Sequence, residues 1–145
     1  MIPLPPALKS RSGQSLVEAM VAVAITILVI TALVVLAVGA VRSATLSRNR
    51  SLAVQYAQEG MEAVRSIRDR SFPALPPVGG PYQIAWTGTE WSWAGGEQDL
   101  DSIFKRGFTV TEETSGKLVI ILFVNWTDSG GDHRLDLTTY LTDWR

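Results

Sequence analysis

The chain opens with a hydrophobic segment that leads into a helical pattern. Residues 19–41 contain no charged side chain, and as a helix, at about 1.5 Å per residue, they would cover the roughly 30 Å of a bilayer core. After this segment apolar residues recur every three or four positions, which predicts one buried stripe on an amphipathic helix. The stripe consists of Ala53, Ala57, Met61, Val64 and Ile67. Because no proline lies between Pro6 and Pro73, we predict a single helix from about residue 15 to about residue 69.

The later part of the chain has the patterns of β-strands. The segments KLVIILFVNWT and RLDLTTYLTDW flank the turn sequence DSGGDH, which predicts a β-hairpin. Apolar and polar residues alternate in the second segment, so one of its faces is expected to be buried. The first segment is apolar at successive positions and is expected to be buried on both faces. RGFTVTEE is a third predicted strand, and YQIAWTGTEWSWAGGEQ is interpreted as a short irregular hairpin.

Together these elements predict an α+β fold. The amphipathic half of the helix needs a partner for its stripe, and the sheet needs a cover for its apolar face. We therefore expect a long N-terminal α-helix whose C-terminal half packs on a small antiparallel β-sheet. The expected divisions are a short N-terminal segment 1–13, an apolar half-helix 14–41, an amphipathic half-helix 42–70 and a sheet domain 71–145.

Composition narrows the class of protein. Hydrophobic residues make up 46% of the 145 residues, but much of that share lies between residues 16 and 41, so a soluble cytosolic enzyme is not expected. The net charge is −1, with acidic and basic residues mixed along the chain, which gives no reason to expect nucleic acid as the main partner. The sequence contains no cysteine, which excludes disulfides, thiolate metal ligands and a cysteine nucleophile.

The N-terminal residues allow three interpretations. A cleavable secretory signal would end in the small residues of VGA at Ala40, but its apolar core would exceed the usual ~7–15 residues. The second interpretation is an uncut anchor that only tethers the chain. The third depends on the order of residues, in which basic Lys9 and Arg11 precede Gly13, and Glu18 heads the apolar run. A charge at a bilayer centre costs about 2.5–3.5 kcal/mol, and less near the interface, so Glu18 is expected to have a partner.

The segment GQSLVEAMVAVAI resembles the processing site of type IV prepilins and type II secretion pseudopilins. The resemblance implies cleavage between Gly13 and Gln14 by a prepilin peptidase and N-methylation of Gln14. It implies an assembly role for Glu18, which matches the glutamate of the family, whereas Gln14 stands where the family most often has phenylalanine. It also implies the pilin-like ladle fold. The closing segment FVNWTDSGGDHRLDLTTYLTDW resembles the end of prepilin-type proteins of the minor-pilin or pilus-modification kind.

On this resemblance the chain is expected to be a structural subunit of a type IV pilus or type II secretion-like filament, as a minor pilin or pseudopilin. Its expected partners are the prepilin peptidase, other pilins or pseudopilins in a helical filament, and membrane lipid before assembly. It would cross the inner or cytoplasmic membrane once, with an extracytoplasmic head, and would reach the cell surface in the filament. The alternative is a membrane-anchored extracytoplasmic ligand-binding module that does not polymerise.

Candidate catalytic and ligand-binding groups are sparse. The sequence has no motif for a nucleophile elbow, a phosphate loop or a paired-histidine metal site, so no catalytic residue, metal or cofactor is assigned and an enzyme is not expected. His133, beside the predicted turn, is interpreted as a solvated loop residue. Three acidic residues are interpreted as turn and strand-surface groups, with a calcium site as the alternative: Asp128, Asp132 and Asp136. Three tryptophans are interpreted as core or sheet-edge residues, with a platform for a sugar or a base as the alternative: Trp86, Trp91 and Trp93.

Overall fold

A computed structural model describes residues 12–101 and 103–143 of the chain. Helix α1 spans Ser12–Arg70, and a short 3-10 turn covers Phe72–Ala74. The strands are β1 Gly79–Trp86, β2 Trp91–Gly95, β3 Gln98–Asp101, β4 Phe104–Thr114, β5 Lys117–Asp128 and β6 Gly131–Thr142. The α+β class is confirmed, with one long helix and an antiparallel sheet in the described residues. The chain divides into two units, Met1–Ala44 and Thr45–Arg145.

The first unit contains the N-terminal part of α1, whose surface is apolar. Its large hydrophobic side chains between Leu16 and Val41 have exposed fractions of 48% to 69%. They lie on all sides of the helix, because consecutive residues such as 27–30 all belong to this set. The hydroxyls of Thr26 and Thr31 each donate to the carbonyl oxygen four residues earlier, at 2.8 Å. Within the described residues, one helix is long and apolar enough to cross a membrane, as the pattern predicts.

In the second unit the six described strands form one antiparallel sheet. The strand order is β2-β1-β4-β5-β6, and β3 pairs with β4 outside this path. The predicted β5–β6 hairpin is confirmed, with Leu122 opposite Leu137 and a turn at residues 129–130. The segment interpreted as an irregular hairpin forms β1 and β2, in which Ile84 lies opposite Trp93.

The C-terminal part of α1 covers one face of this sheet. The predicted helical stripe is buried, as expected: Ala53, Ala57, Met61, Val64 and Ile67. It forms one cluster with fully buried side chains of the central strands, which are Phe108, Val110, Ile120, Leu122 and Val124. Gly60 allows the helix to approach the sheet closely, because a Cβ at this position would lie 2.6 Å from Cδ1 of Leu122. The helix and the sheet therefore cover each other's apolar faces.

Strand β5 is fully buried on one face only. Leu122 and Val124 point towards α1 and have no exposed surface, whereas Ile121 is only partly buried. The expectation of a strand buried on both faces is therefore wrong at Ile121, because successive side chains point to opposite sides of a sheet and α1 covers one side. Phe123 is buried on the outer face because the Arg134 guanidinium lies 4.4 Å from its ring centre.

Candidate functional site

The predicted processing and assembly residues lie in the N-terminal part of α1. The helix includes the backbone of Gly13 and Gln14, and Glu18 is exposed on it. Positions 14 and 18 are four residues apart and so lie on the same face of the helix, about one turn apart. A positive charge at residue 14 would therefore be a neighbour of the Glu18 carboxylate. Lys9 and Arg11, the basic residues of the predicted leader, lie outside the described residues.

Glu18 heads a helix surface that carries no other charge. Residues 19–41 are uncharged, and the large hydrophobic side chains among them are exposed. A helix that is hydrophobic on all sides belongs in an apolar environment, either lipid or protein. Burial of each such side chain contributes about 1.5–3 kcal/mol, so the whole segment gains many times the energy of a single ion pair. Burial of such an apolar surface does not by itself favour one orientation, whereas a carboxylate such as that of Glu18 attracts positively charged groups.

A cluster of polar groups fixes the β5–β6 turn to α1. The carboxylate of Asp128 accepts hydrogen bonds from Nδ2 of Asn49 at 3.1 Å and from the backbone N–H of Gly130 at 2.7 Å. Nε2 of His133 lies 3.0 Å from the same carboxylate, and the His133 ring stacks on Trp126 with 5.1 Å between ring centres. The hydrogen bond from Asn49 makes the largest contribution, and the one from Gly130 the next, to lowering the pKa of Asp128 to about 2. Only 8% of the Asp128 side chain is exposed, so the carboxylate is held between α1 and the hairpin turn.

One interpretation from the sequence needs correction at this turn. His133 lies in β6, is partly buried and contacts Asp128, so it is not a solvated loop residue. Asp128 borders the hairpin turn, as interpreted, and accepts a hydrogen bond from a backbone N–H within it, although its side chain is only 8% exposed. Asp136 lies on the strand surface and forms an exposed ion pair with Nε of Arg134 at 2.8 Å. Asp132 accepts a hydrogen bond from a neighbouring threonine hydroxyl at 2.7 Å. The three carboxylates have separate partners, and no group of three His, Cys, Asp or Glu side chains in the described residues could hold a metal ion.

The Asp128 contacts predict a pH dependence of folding stability in acid. The folded pKa of about 2 lies below the value of about 3.9 for an unfolded aspartate. The stabilisation is therefore fully present above about pH 4 and is lost as the pH falls from about 4 towards about 2. Thermal unfolding of the full chain in detergent, followed by circular dichroism across this range, measures the effect.

Two amide variants provide the comparison for that measurement. Asp128→Asn should remove part of the acid dependence, so that its difference from the wild type shrinks as the pH falls. Asp136→Asn, which alters an exposed ion pair on the same hairpin, should follow the wild-type profile closely. A profile for Asp128→Asn that runs parallel to the wild type throughout would contradict the role of Asp128.

The three tryptophans occupy different environments. Trp93 packs against the core, with its ring centre 5.2 Å from that of Tyr82, and its indole N–H donates to the Ala74 carbonyl at 2.8 Å. The core interpretation is confirmed for Trp93. Trp86 and Trp91 lie opposite each other at the end of the β1–β2 hairpin, with ring centres 5.2 Å apart. Trp86 is 55% exposed and provides aromatic surface at this end of the sheet.

The sequence interpretation missed Arg106, a charged residue buried between α1 and the sheet. The side chain is 1% exposed and donates to the Tyr56 carbonyl and to Oε1 of Gln98, both at 2.8 Å. Burial lowers the pKa of Arg106, and the Glu59 carboxylate, 3.5 Å from the guanidinium, opposes this shift. The alternation of β4 places position 106 on the inward face, between two buried phenylalanines. That alternation is the signal that would have located the residue in the core.

Comparison with protein-family models, curated proteins and solved structures gives no match for this chain. The function must therefore be inferred from two features of the described residues. One is the exposed apolar helix surface headed by Glu18, and the other is a folded sheet with an exposed aromatic ring at one end.

Proposed function

We propose that the chain is a structural subunit of a type IV pilus or type II secretion-like filament, of the minor-pilin or pseudopilin kind. The observation that carries the proposal is the uncharged helix surface of residues 19–41, apolar on all sides, exposed, and headed by Glu18. Lipid covers this surface before assembly, and neighbouring subunits cover it in the filament. The prepilin-like segment GQSLVEAMVAVAI at its head supports the same function.

Processing creates the positive charge that Glu18 needs. A prepilin peptidase hydrolyses the peptide bond between Gly13 and Gln14, which leaves a free amino group on Gln14. This group is protonated near neutral pH, and the N-methylated amine can still carry the positive charge. Glu18 of an incoming subunit then pairs with the Gln14 ammonium of a subunit already in the filament. Because an unpaired charge in an apolar environment is costly, only the register that pairs both charges is stable. The ion pair therefore sets the axial position, while the apolar surface provides most of the attraction.

The proposal includes the pilin-like ladle fold and a single passage through the inner or cytoplasmic membrane. The apolar part of α1 passes length and composition criteria for one membrane span. In the second unit, the stripe of α1 buried against the sheet supports the arrangement expected for a pilin head. The head would lie outside the cytoplasm, and it would reach the cell surface when the subunit joins a filament.

A membrane-anchored ligand-binding module that does not polymerise is the second candidate function. The exposed ring of Trp86 beside Trp91 favours it, because exposed aromatic rings stack on bases and other flat ligand surfaces. Such a module would need no cleavage after Gly13 and would stay in the membrane fraction when cells are sheared.

The mature N-terminus separates these possibilities. We expect intact-mass and N-terminal peptide analysis to show that residues 1–13 are removed and that Gln14 is first and N-methylated. The same chain should stay uncleaved in cells that lack the prepilin peptidase, and the processed form should appear in filaments sheared from the wild-type cells. A mature N-terminus at Val41 would instead identify a secretory signal. An uncut chain that stays with the membrane would favour the ligand-binding module.

A further inference from the structure

Strand β6 forms a long edge of the sheet, where backbone groups are available to pair with another strand. It pairs with β5 over its whole length of 12 residues without a register shift. In the sheet formed by the described residues it is the terminal strand, so its other side has no strand partner. It contains no proline, whereas the opposite terminal strand, β2, has only 5 residues. The free N–H and C=O groups of such an edge can pair with another strand.

The charged residues of β6 favour one alignment of two β6 strands. Arg134 and Asp136 are exposed on the outer face and already pair within one chain at 2.8 Å. If two β6 strands pair in antiparallel orientation around Leu135, Arg134 of each copy lies opposite Asp136 of the other. A centre one residue earlier or later would place two arginines or two aspartates directly opposite, which is destabilising.

The inner side of the same edge carries apolar surface that the chain covers incompletely. Leu135 and Leu137 point to the side of α1 and contact the core, yet both are only partly buried. Leu141, further along the same face, is fully buried. Beside Leu137, the residues Gln58, Met61 and Glu62 of α1 line a shallow depression. A second strand at this edge would bury the two leucines further.

We propose that a second copy of this chain binds at β6, antiparallel and centred on Leu135, so that the two sheets become continuous across a two-fold axis. In this register Leu135 faces Leu135 of the second copy, and Leu137 faces His133. A two-fold contact closes on itself and cannot propagate a filament. It therefore joins two sheet domains, either in a dimer or between neighbouring filaments, and it is separate from the assembly role proposed for Glu18.

Cysteine cross-linking tests this register directly, because the chain has no cysteine of its own. Leu135→Cys would bring two thiols into directly opposite positions, where Cα atoms are about 4.5–5.5 Å apart in antiparallel pairs, within the range for a disulfide. Leu137→Cys is the matched control, on the same face and partly buried like Leu135. Its two copies would be displaced by four residues, about 13 Å along the strands.

The full chain in detergent micelles is oxidised and separated on a non-reducing gel. We expect the Leu135→Cys chain to migrate mostly as a covalent dimer and the Leu137→Cys chain to stay monomeric. Equal cross-linking of both variants would mean that the apolar helices alone bring the chains together, which would overturn the proposal. Cross-linking of Leu137→Cys alone, or of neither variant, would also overturn it.

Charge exchange tests the pairing of Arg134 with Asp136. In the Leu135→Cys chain, Arg134→Asp or Asp136→Arg alone should clearly reduce the fraction of dimer, because like charges then face each other at two positions. An equal mixture of the two variants, and the double exchange in one chain, should both restore it. Unchanged dimer in the single variants, or no recovery in the mixture and the double exchange, would overturn the proposal. Because the assay requires neither cleavage nor filaments, its failure and that of the proposed function are distinguishable.

Discussion

Leu122→Asp is expected to prevent the sheet domain from folding, whereas Ile121→Asp, one residue earlier, should leave it folded. Leu122 is fully buried, and its side chain meets α1 at Gly60. An isolated carboxylate at this position would have to be protonated or hydrated within the core. Burial of even a neutral polar group without a partner costs roughly 2–7 kcal/mol, which is comparable to the whole stability of about 5–15 kcal/mol of a typical domain.

Ile121 has a side chain of similar size to that of Leu122 but points to the other side of the sheet. It lies on the outer face, between Thr109 of β4 and Thr138 of β6, and remains partly exposed. An aspartate there keeps contact with water, so we expect a loss of about 1 kcal/mol, within the usual range for single substitutions.

Thermal unfolding of both full-length variants in detergent, with limited proteolysis as a second measure of folding, checks this pair. Leu122→Ala provides a graded control and should cost about 2–5 kcal/mol, as buried leucines generally do. Similar unfolding midpoints for Leu122→Asp and Ile121→Asp would contradict the assignment of the buried face.

Ile121 and Leu122 also show which part of the fold the sequence does not predict, namely which face of β5 is buried. The stripe of α1 and the alternation of β6 are periodic, so the buried face could be predicted for both elements. In β5 every residue from 118 to 124 is apolar, and a pattern without alternation does not say which face meets the helix. That choice depends on the strand order and on the position of α1, and both are tertiary properties.

The residues of the candidate site also differ in how far the sequence alone predicts them. Gly13, Gln14 and Glu18 belong to one short segment, so the resemblance that implies a processing site is visible in the sequence alone. Asn49 and Asp128 are 79 residues apart, and no local pattern indicates that an amide on the helix meets a carboxylate at the hairpin turn. Arg106 is intermediate, because its inward position follows from the alternation of β4 while its partners on α1 and β3 do not.

Glu18→Ala is expected to abolish most filament incorporation without affecting membrane insertion or cleavage. The variant retains the uncharged residues 19–41 and the leader, so insertion and hydrolysis after Gly13 should proceed. The Gln14 ammonium of the preceding subunit would then meet a methyl group in an apolar environment. Loss of one partner from such a pair costs about 3–5 kcal/mol because the other charge remains buried and unpaired. This corresponds to a loss of at least about a hundredfold in the equilibrium for adding a subunit.

Filaments sheared from cells in which each variant is the only copy of the chain, compared with the membrane fraction by immunoblot, provide the measurement. Glu18→Gln should be intermediate, since its amide oxygen still accepts a hydrogen bond but carries no charge. Glu62→Ala is the matched control, because it removes an exposed glutamate of the same helix that, in the described part of the chain, pairs with the neighbouring Arg65, and it should assemble normally. Normal assembly of processed Glu18→Ala would exclude the ion pair. Glu18 would then be an acidic residue near the start of a helix, stabilised by the helix dipole.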